Sequence, residues 1–269
     1  MQIHGYIKNW LEKSGQIKFV HQLLLHFSAI RNKKANRNFT KKYPDFLIPP
    51  NSILFETGNV QYSSYFQSGL EAANEIHALC LLFHSRPVES ILDWGCGTGR
   101  VTRHLANYFP EASISGIDAN PACINWLEHN IPHIDWQLGS YELVNKISSN
   151  SFDLIIALSV LTHLPASEQQ HWLEQLHSRL HTNGLIWLST QGSTYYHQLT
   201  SKQHALLLKK GMLTLGSNQE GSRGMRTYHT YEGMQQLIHQ DWELLLYYNG
   251  EKFPGVLGGQ DAWLIKKKA

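Results

Sequence analysis

The chain reads as an α/β protein built on a doubly wound parallel sheet. Three observations predict this. Strand-like and helix-like segments alternate from about residue 90 to 190. FDLIIALSV (152–160) is an unbroken apolar run, the signature of a central strand covered on both faces. The strand SILDWG (90–95) runs into a turn with glycine at alternate positions, Gly95, Gly97 and Gly99.

The elements follow in order. LEKSGQIKFVHQLLLHFSAI (11–30) suggests a helix with Ile17, Val20, Leu24 and Phe27 on one face. The basic stretch RNKKANRNFTKK (31–42) and the breaker IPPN (48–51) come next, so residues 1–50 read as an N-terminal helical and basic appendage to a domain over 51–269. YSSYFQSGLEAANEIHALCLLF (62–83) reads as a helix, followed by strand 90–95, helix 100–109, strand 112–118, helix 121–130 and a short strand over 133–139. SEQQHWLEQLHSRL (167–180) has the spacing of a capping box at Ser167 and Gln170, with Gly184 as its stop, before the strand LIWLST (185–190). Residues 193–230 break the rhythm as an insertion with one helix, SKQHALLLKK, and glycine-rich chain, placed to form a lid. After the helix YEGMQQLIHQ, the runs WELLLYYN (242–249) and AWLIKK (262–267) suit an antiparallel pair at a sheet edge.

Composition excludes several classes. At 269 residues, 42% hydrophobic and 16% charged, the chain is an ordinary globular protein with no apolar run long enough to span a bilayer. The start MQIHGYIKNWLEK lacks an apolar signal core, and Cys80, Cys96 and Cys123 are odd in number without CxxC spacing. A cytoplasmic location is expected, with no structural zinc. The sixteen histidines include pairs such as His177 and His181 but no HExxH, so no metal is expected. Net charge is only +2, yet residues 31–42 hold six Lys or Arg and no acid. That run reads first as a solvated basic face or loop and second as a contact for a membrane surface, a nucleic acid or an acidic substrate.

The glycine turn lies where doubly wound sheets bind ligands, at the carboxyl ends of the strands. Its spacing is GxGxG rather than the GxGxxG of dinucleotide folds, and it lacks the Lys-Ser/Thr of a phosphate loop. Asp118 ends the next strand, where a carboxylate can accept ribose hydroxyls or cap the helix that begins at Pro121. The pair of features favours a ligand containing adenosine.

ILDWGCGTGRVTRHL, GIDANPACINWL, SFDLIIALSVLTHL and LHSRLHTNGLIWLST, taken in this order, resemble the successive motifs of class I S-adenosylmethionine-dependent methyltransferases. The phrases ETGN, YSSYFQSG and GGQDAWLIKK resemble a bacterial small-molecule branch of that family, some of whose members are associated with glycosyltransferases. The resemblance implies a Rossmann-like seven-stranded sheet in the order 3-2-1-4-5-7-6, with strand 7 antiparallel. It implies S-adenosylmethionine as methyl donor, with S-adenosylhomocysteine as product. Asp93, Gly95, Cys96, Gly97 and Gly99 would lie against the methionine portion, and Asp118 would bind the ribose. Ala119, Asn120, Gly139, Ser140 and Tyr141 would flank adenine, although many relatives have Asp at the place of Ser140. Ala157, Leu158 and Ser159 would end the central strand against the cofactor, and Tyr65, Ser68 and Gly69 would cover it.

Methyl transfer from a sulfonium requires an acceptor held in line, and a hydroxyl acceptor also wants a base. His163, just after the central strand, and His229, in the insertion, are the candidates, with Tyr228 and Arg226 placed to orient the acceptor. No NPPY-like tetrapeptide follows the central strand, where ALSV stands, which disfavours DNA base-amine and protein glutamine methylation. The expected acceptor is a hydroxyl or amine of a small molecule, including a sugar. The alternatives are an RNA methyltransferase using residues 31–42 and a non-catalytic S-adenosylmethionine-binding partner of a glycosyltransferase; a homodimer is compatible with either.

Overall fold

The computed structural model describes residues 17–54, 60–139, 148–149, 151–216, 224–238, 240–252 and 257–268, with side chains from residue 25 onward. They fall into two compact units, Met1–Gln67 and Ser68–Ala269. The boundary lies inside a helix rather than at the change of composition after residue 50.

In the first unit, helix α1 runs over Ile17–Lys42. The basic stretch is therefore helix rather than a segment after it, because RNKKANRNFTKK contains no glycine or proline to stop one. Asn36 and Phe39, three residues apart, are its buried contacts. Asn36 donates to the Val60 carbonyl at 2.8 Å and accepts from the Tyr62 backbone N–H at 3.0 Å. The Phe39 ring meets Tyr43, Phe46 and Phe66 at 4.9–6.1 Å between centroids. Arg31, Lys33, Lys34, Arg37, Lys41 and Lys42 all face solvent. Phe27, expected on an apolar face, is 65% exposed; the side chains of Ile17, Val20 and Leu24 lie outside the described residues.

Helix α2 spans Tyr62–Phe83, and from Ser68 the second unit begins. Its sheet contains β1 (Ser90–Trp94), β2 (Ser113–Asp118), β3 (Asp135–Leu138), β4 (Phe152–Ala157), β5 (Leu180–Thr190), β8 (Trp242–Tyr248) and β9 (Asp261–Lys267). The order is β3-β2-β1-β4-β5-β9-β8. β1 through β5 pair in parallel, and β9 enters antiparallel to β5 and β8. With β8 and β9 as the sixth and seventh sheet strands, this is the expected 3-2-1-4-5-7-6 arrangement. Alternate residues of β4 feed opposite layers: Leu154 and Ile156 join Ile91, Leu105 and Trp187, whereas Ile155 and Ala157 join Leu92, Trp172 and Trp263. Each fully buried Leu or Ile contributes about 1.5–3 kcal/mol.

Helix α3 is Thr102–Tyr108 and α4 is Pro121–Asn130. α5 is Gln169–Arg179, and the capping box expected at Ser167 and Gln170 is not formed. Gln170 instead donates to Glu174, while the neighbouring Gln169 is drawn into the core to bond the Leu161 and Leu164 carbonyls. The helix also stops at Arg179 rather than at Gly184; β5 begins at Leu180, and Asn183 takes a left-handed φ of 66°.

The insertion contains more structure than one helix. A single-turn segment, Ser193–Gln198, leads to α6 (Ser201–Lys210), which has a Thr200–Gln203 capping box and ends at Gly211. β6 (Met212–Leu215) and β7 (Arg226–His229) then form a separate antiparallel ribbon, before α7 (Tyr231–Leu237). No helix of the described residues is long and apolar enough to cross a membrane, and no group of three potential metal ligands occurs among them.

Asp153 at the start of β4 ties the entrance of the sheet together. It accepts from Arg86, from the N–H groups of Glu89 and Ser90, and from the Ser90 hydroxyl, all at 2.8–3.1 Å. Burial pushes its carboxyl up, but these bonds and the Arg86 charge outweigh it and hold the carboxyl below its ordinary range. Its contribution is complete above the unfolded carboxylate pKa of about 3.9 and disappears as pH falls through the lower folded value. Asp153→Ala is expected to lower stability by about 2 kcal/mol or more at pH 7, measured by urea unfolding, with the difference from wild type shrinking below pH 4.

Candidate active site

The β1–α3 turn is built by backbone bonds that reach the next strand. The N–H groups of Gly95 and Cys96 both donate to the Ile117 carbonyl, at 2.8 and 3.1 Å, and the Gly97 N–H donates to Asp118 Oδ2 at 2.7 Å. All three glycines have positive φ, between 56° and 76°. They differ in what surrounds them. A methyl group on Gly95 would meet Val160 Cγ2 at 2.5 Å, and one on Gly99 would meet Leu127 Cδ2 at 2.7 Å. One on Gly97 would meet nothing within 4 Å. Gly95 and Gly99 are packing glycines, whereas Gly97 faces open space.

Asp118 stands beside this opening. Its second oxygen accepts the Asn120 N–H at 2.8 Å, so its carboxylate is fixed from both sides. Burial raises its pKa, and the two backbone bonds oppose the rise. The helix-cap role considered for Asp118 belongs to Asn120, whose side chain accepts the Ala122 N–H at 2.9 Å. Around the same strand ends, Ala119 is exposed and Leu138 is 53% exposed, with Gly139 beside them. Leu138 went unnoticed in the sequence because an apolar residue at a strand end reads as core. Ser140 and Tyr141 lie outside the described residues.

Asp93 is buried at the end of β1 and accepts the Thr102 hydroxyl. Burial is the main cause of its pKa rising to about 6; the Asp118 charge adds to the rise, and Thr102 and Arg100 counter it. Cys96 turns its thiol into the core against Gly116, and burial pushes its pKa well above the ordinary value. Only its backbone belongs to the turn. Gly69 is pressed against the same turn, since a methyl there would meet the Arg100 carbonyl at 2.0 Å, and Ser68 accepts from Arg100 at 3.2 Å. Tyr65 lies in the first unit, buried near Phe46.

At the end of β4, Ala157 is fully buried and Leu158 packs on the core. Ser159 has a left-handed φ of 62°, unusual for a residue with a side chain. Three bonds hold it there: its N–H donates to Ser189 Oγ at 2.8 Å, its hydroxyl bonds Gln260, and its carbonyl accepts from Thr162 at 2.6 Å. Gln260 also accepts from Ser189 at 2.6 Å, joining the ends of β4, β5 and β9. Neither Ser189 nor Gln260 was visible as a partner, because the contacts span 30 to 101 residues of sequence.

The two candidate histidines have different surroundings. His163 is partly buried, with Nδ1 3.1 Å from the Met225 carbonyl. A carbonyl only accepts, so Nδ1 is the donor in that contact. His229 is 1% exposed, and its Nε2 donates to Gln169 Oε1 at 2.7 Å. Gln169 must present oxygen here, because its amide nitrogen is committed to the Leu161 and Leu164 carbonyls. Burial drops the His229 pKa to about 3, so it stays neutral. The expectation of His229 as an acceptor-facing lid base is corrected: it lies on the inward face of β7.

The β6–β7 ribbon is pinned to the segment after β4. Thr227 donates to the Leu164 carbonyl at 2.6 Å, and the Ala166 N–H donates to Thr214 at 2.9 Å. Thr227 and His229 face inward, so Arg226 and Tyr228 point to the other side. Both reach Gln198 Oε1, Arg226 at 2.5 Å and Tyr228 at 3.4 Å. Tyr195 of the same turn donates to the Gly258 carbonyl at 2.7 Å.

Comparison with known proteins bears on this site. Residues 91–184 match a family described as a methyltransferase domain. The chain is 30% identical over 177 residues to malonyl-[acyl-carrier protein] O-methyltransferase of Halalkalibacterium halodurans, covering 61% of this chain and 62% of that protein. It is 28% identical over 127 residues to trans-aconitate 2-methyltransferase of Deinococcus radiodurans, covering 47% and 46%. The chain thus spans less than two thirds of either relative. Among solved structures, a SAM-dependent methyltransferase from Methanosarcina mazei aligns with TM-score 0.54 at 15% identity, over 70% of this chain and 96% of that one. An amino pentose methyltransferase from Micromonospora echinaspora, solved with SAM bound, also gives 0.54 at 15% identity, over 83% and 99%. Residues 91–184 thus resemble a methyltransferase domain, and the sheet order is the one that resemblance implies.

The glycines separate packing from ligand space experimentally. Gly97→Ala is expected to fold with a loss of about 1–2 kcal/mol from its left-handed backbone and to bind S-adenosylmethionine about tenfold or more weakly. Gly95→Ala is expected to lose a further 1–3 kcal/mol or so through overpacking on Val160. Thermal unfolding and calorimetric titration distinguish the two.

Proposed function

We propose that the chain transfers the methyl group of S-adenosylmethionine to an oxygen or nitrogen of a small molecule. The observation that carries this reading is the open space at Gly97 beside the doubly fixed carboxylate of Asp118. The residues present fit the cofactor. Asp118 has spent one acceptor position per oxygen on backbone N–H groups, which leaves lone pairs for two ribose hydroxyls. The exposed Ala119 and Leu138, with Asn120 and Gly139, supply an apolar slot for adenine. Asp93 and the turn backbone supply an acidic, phosphate-free wall for the methionine portion, with no lysine to oppose a sulfonium. The roles of Ser140 and Tyr141 rest on the family resemblance alone.

When bound, S-adenosylmethionine offers a methyl on a positive sulfur: the acceptor lone pair forms the new bond to carbon as the C–S pair returns to sulfur. The chain's part is to align the acceptor, exclude water and receive a proton. His163 is the histidine suited to the last task, since it follows β4, is partly buried and has Nδ1 anchored on Met225. His229 supports the fold through Gln169. Ser159, held by Ser189 and Gln260, shapes the backbone at the end of β4, where Leu158 and Ser159 would border the cofactor. The relatives named for malonyl-acyl carrier protein and trans-aconitate support a small acceptor; a sugar remains a variant of the same reading.

Asp118→Ala is expected to weaken S-adenosylhomocysteine binding by about two orders of magnitude or more while circular dichroism stays unchanged, because two charge-assisted bonds of roughly 1.5–3 kcal/mol each are lost. Unaltered calorimetric affinity would remove the cofactor assignment. For an acceptor that must lose a proton, His163→Asn is expected to lower kcat about 100-fold, with cofactor affinity unaltered.

A further inference from the structure

Arg226 stands on β7, the strand pinned to the segment that follows β4. It is partly buried, and among the described residues no carboxylate lies within ion-pair distance of it. Its fork donates to the neutral Gln198 and also bonds the Tyr228 hydroxyl, leaving the other donors of five. A partly desolvated guanidinium held by an amide rather than an acid retains its charge and most of its donor fork.

Its surroundings are hydroxyl-rich and apolar. Tyr228 lies two residues along β7 on the same side and shares Gln198, and the Arg226 charge acts on the phenols of both Tyr195 and Tyr228. Burial raises both phenols, and their protons are given to the Gly258 carbonyl and Gln198 Oε1. Tyr196, Leu199, Leu207, Leu213 and Leu215 back the tyrosines.

The cluster connects to the reacting end of the sheet on two sides. Met225, next to Arg226, holds His163. Gly258, which accepts from Tyr195, lies two residues before Gln260, the partner of Ser159 at the end of β4.

We propose that Arg226 holds a carboxylate of the methyl acceptor, so that the acceptor is a small organic acid rather than a neutral sugar. The inference rests on the methyltransferase reading above and adds the acceptor's chemical class. A planar carboxylate matches the guanidinium fork with two parallel N–H···O bonds. Gln198 is the positioning residue that aims the fork: it accepts one N–H and directs the others away from itself.

The test is titration of wild type saturated with S-adenosylhomocysteine against a panel of mono-, di- and tricarboxylates that includes malonate and trans-aconitate, and against their methyl esters. Acids, but not esters, are expected to bind. Arg226→Gln is expected to weaken that binding about tenfold or more, with partial recovery in Arg226→Lys and unchanged affinity for S-adenosylhomocysteine in both. Equal binding of acids and esters, an unaffected Arg226→Gln, or no binding by any acid in the panel overturns the inference and leaves the cofactor reading standing. Failure of S-adenosylhomocysteine itself to bind overturns the methyltransferase reading instead.

Discussion

The site depends on one short contact between neighbouring strands: the β1–α3 turn is closed onto the end of β2 by the Ile117 carbonyl and the Asp118 carboxylate. Three consecutive N–H groups, from Gly95, Cys96 and Gly97, are directed at two consecutive residues. A turn this tight requires left-handed backbone at alternate positions, which explains the glycine spacing physically. The same bonds fix the carboxylate that faces the ligand space. Parallel pairing of β1 with β2, from Ser90 opposite Ser113 to Trp94 opposite Ile117, sets both sides of the contact in register. Asp153 secures the opposite end of β1, so the strand is held at both termini by an acid from a neighbour.

Burial decides which polar groups have chemistry to offer. His229 and His163 both meet the same ribbon, yet His229 is neutral and bonded into the core while His163 is only partly buried. Cys96 lies in the middle of the glycine turn, but its thiol is sealed against Gly116. Asp93, equally buried, keeps its importance through Thr102 and through a pKa drawn toward neutrality, which makes its charge responsive to a cation placed beside it.

Much of this was legible in the sequence because it is local. The apolar run of β4, the alternation of elements, the glycine turn and Asp118 all lie within stretches whose periodicity or spacing carries the signal. The helix Pro121–Asn130 was read to the residue, since proline marks its first turn. What escaped was nonlocal or context-dependent. The β6–β7 ribbon consists of two four-residue strands, too short for alternation to register. The Ser159–Ser189–Gln260 network exists only once three strand ends meet. The capping box at Ser167 was a local signal overruled when Gln169 turned inward to His229. The basic run was misread as following a helix because charge suggested a surface loop, while Asn36 and Phe39 hidden within it supplied a docking face.

The ribbon shows how a strand only four residues long can serve both stability and recognition. Strand geometry sends Thr227 and His229 to one side and Arg226 and Tyr228 to the other. The inward pair is satisfied by Leu164 and Gln169, which fixes the ribbon against the segment that follows the catalytic strand. The outward pair then has a defined position without needing a tight partner of its own, and Gln198 orients it with an oxygen that carries no charge. Had that partner been an acid, the guanidinium would have been neutralised in place. A neutral amide at this position orients the guanidinium and leaves its charge uncompensated by that partner.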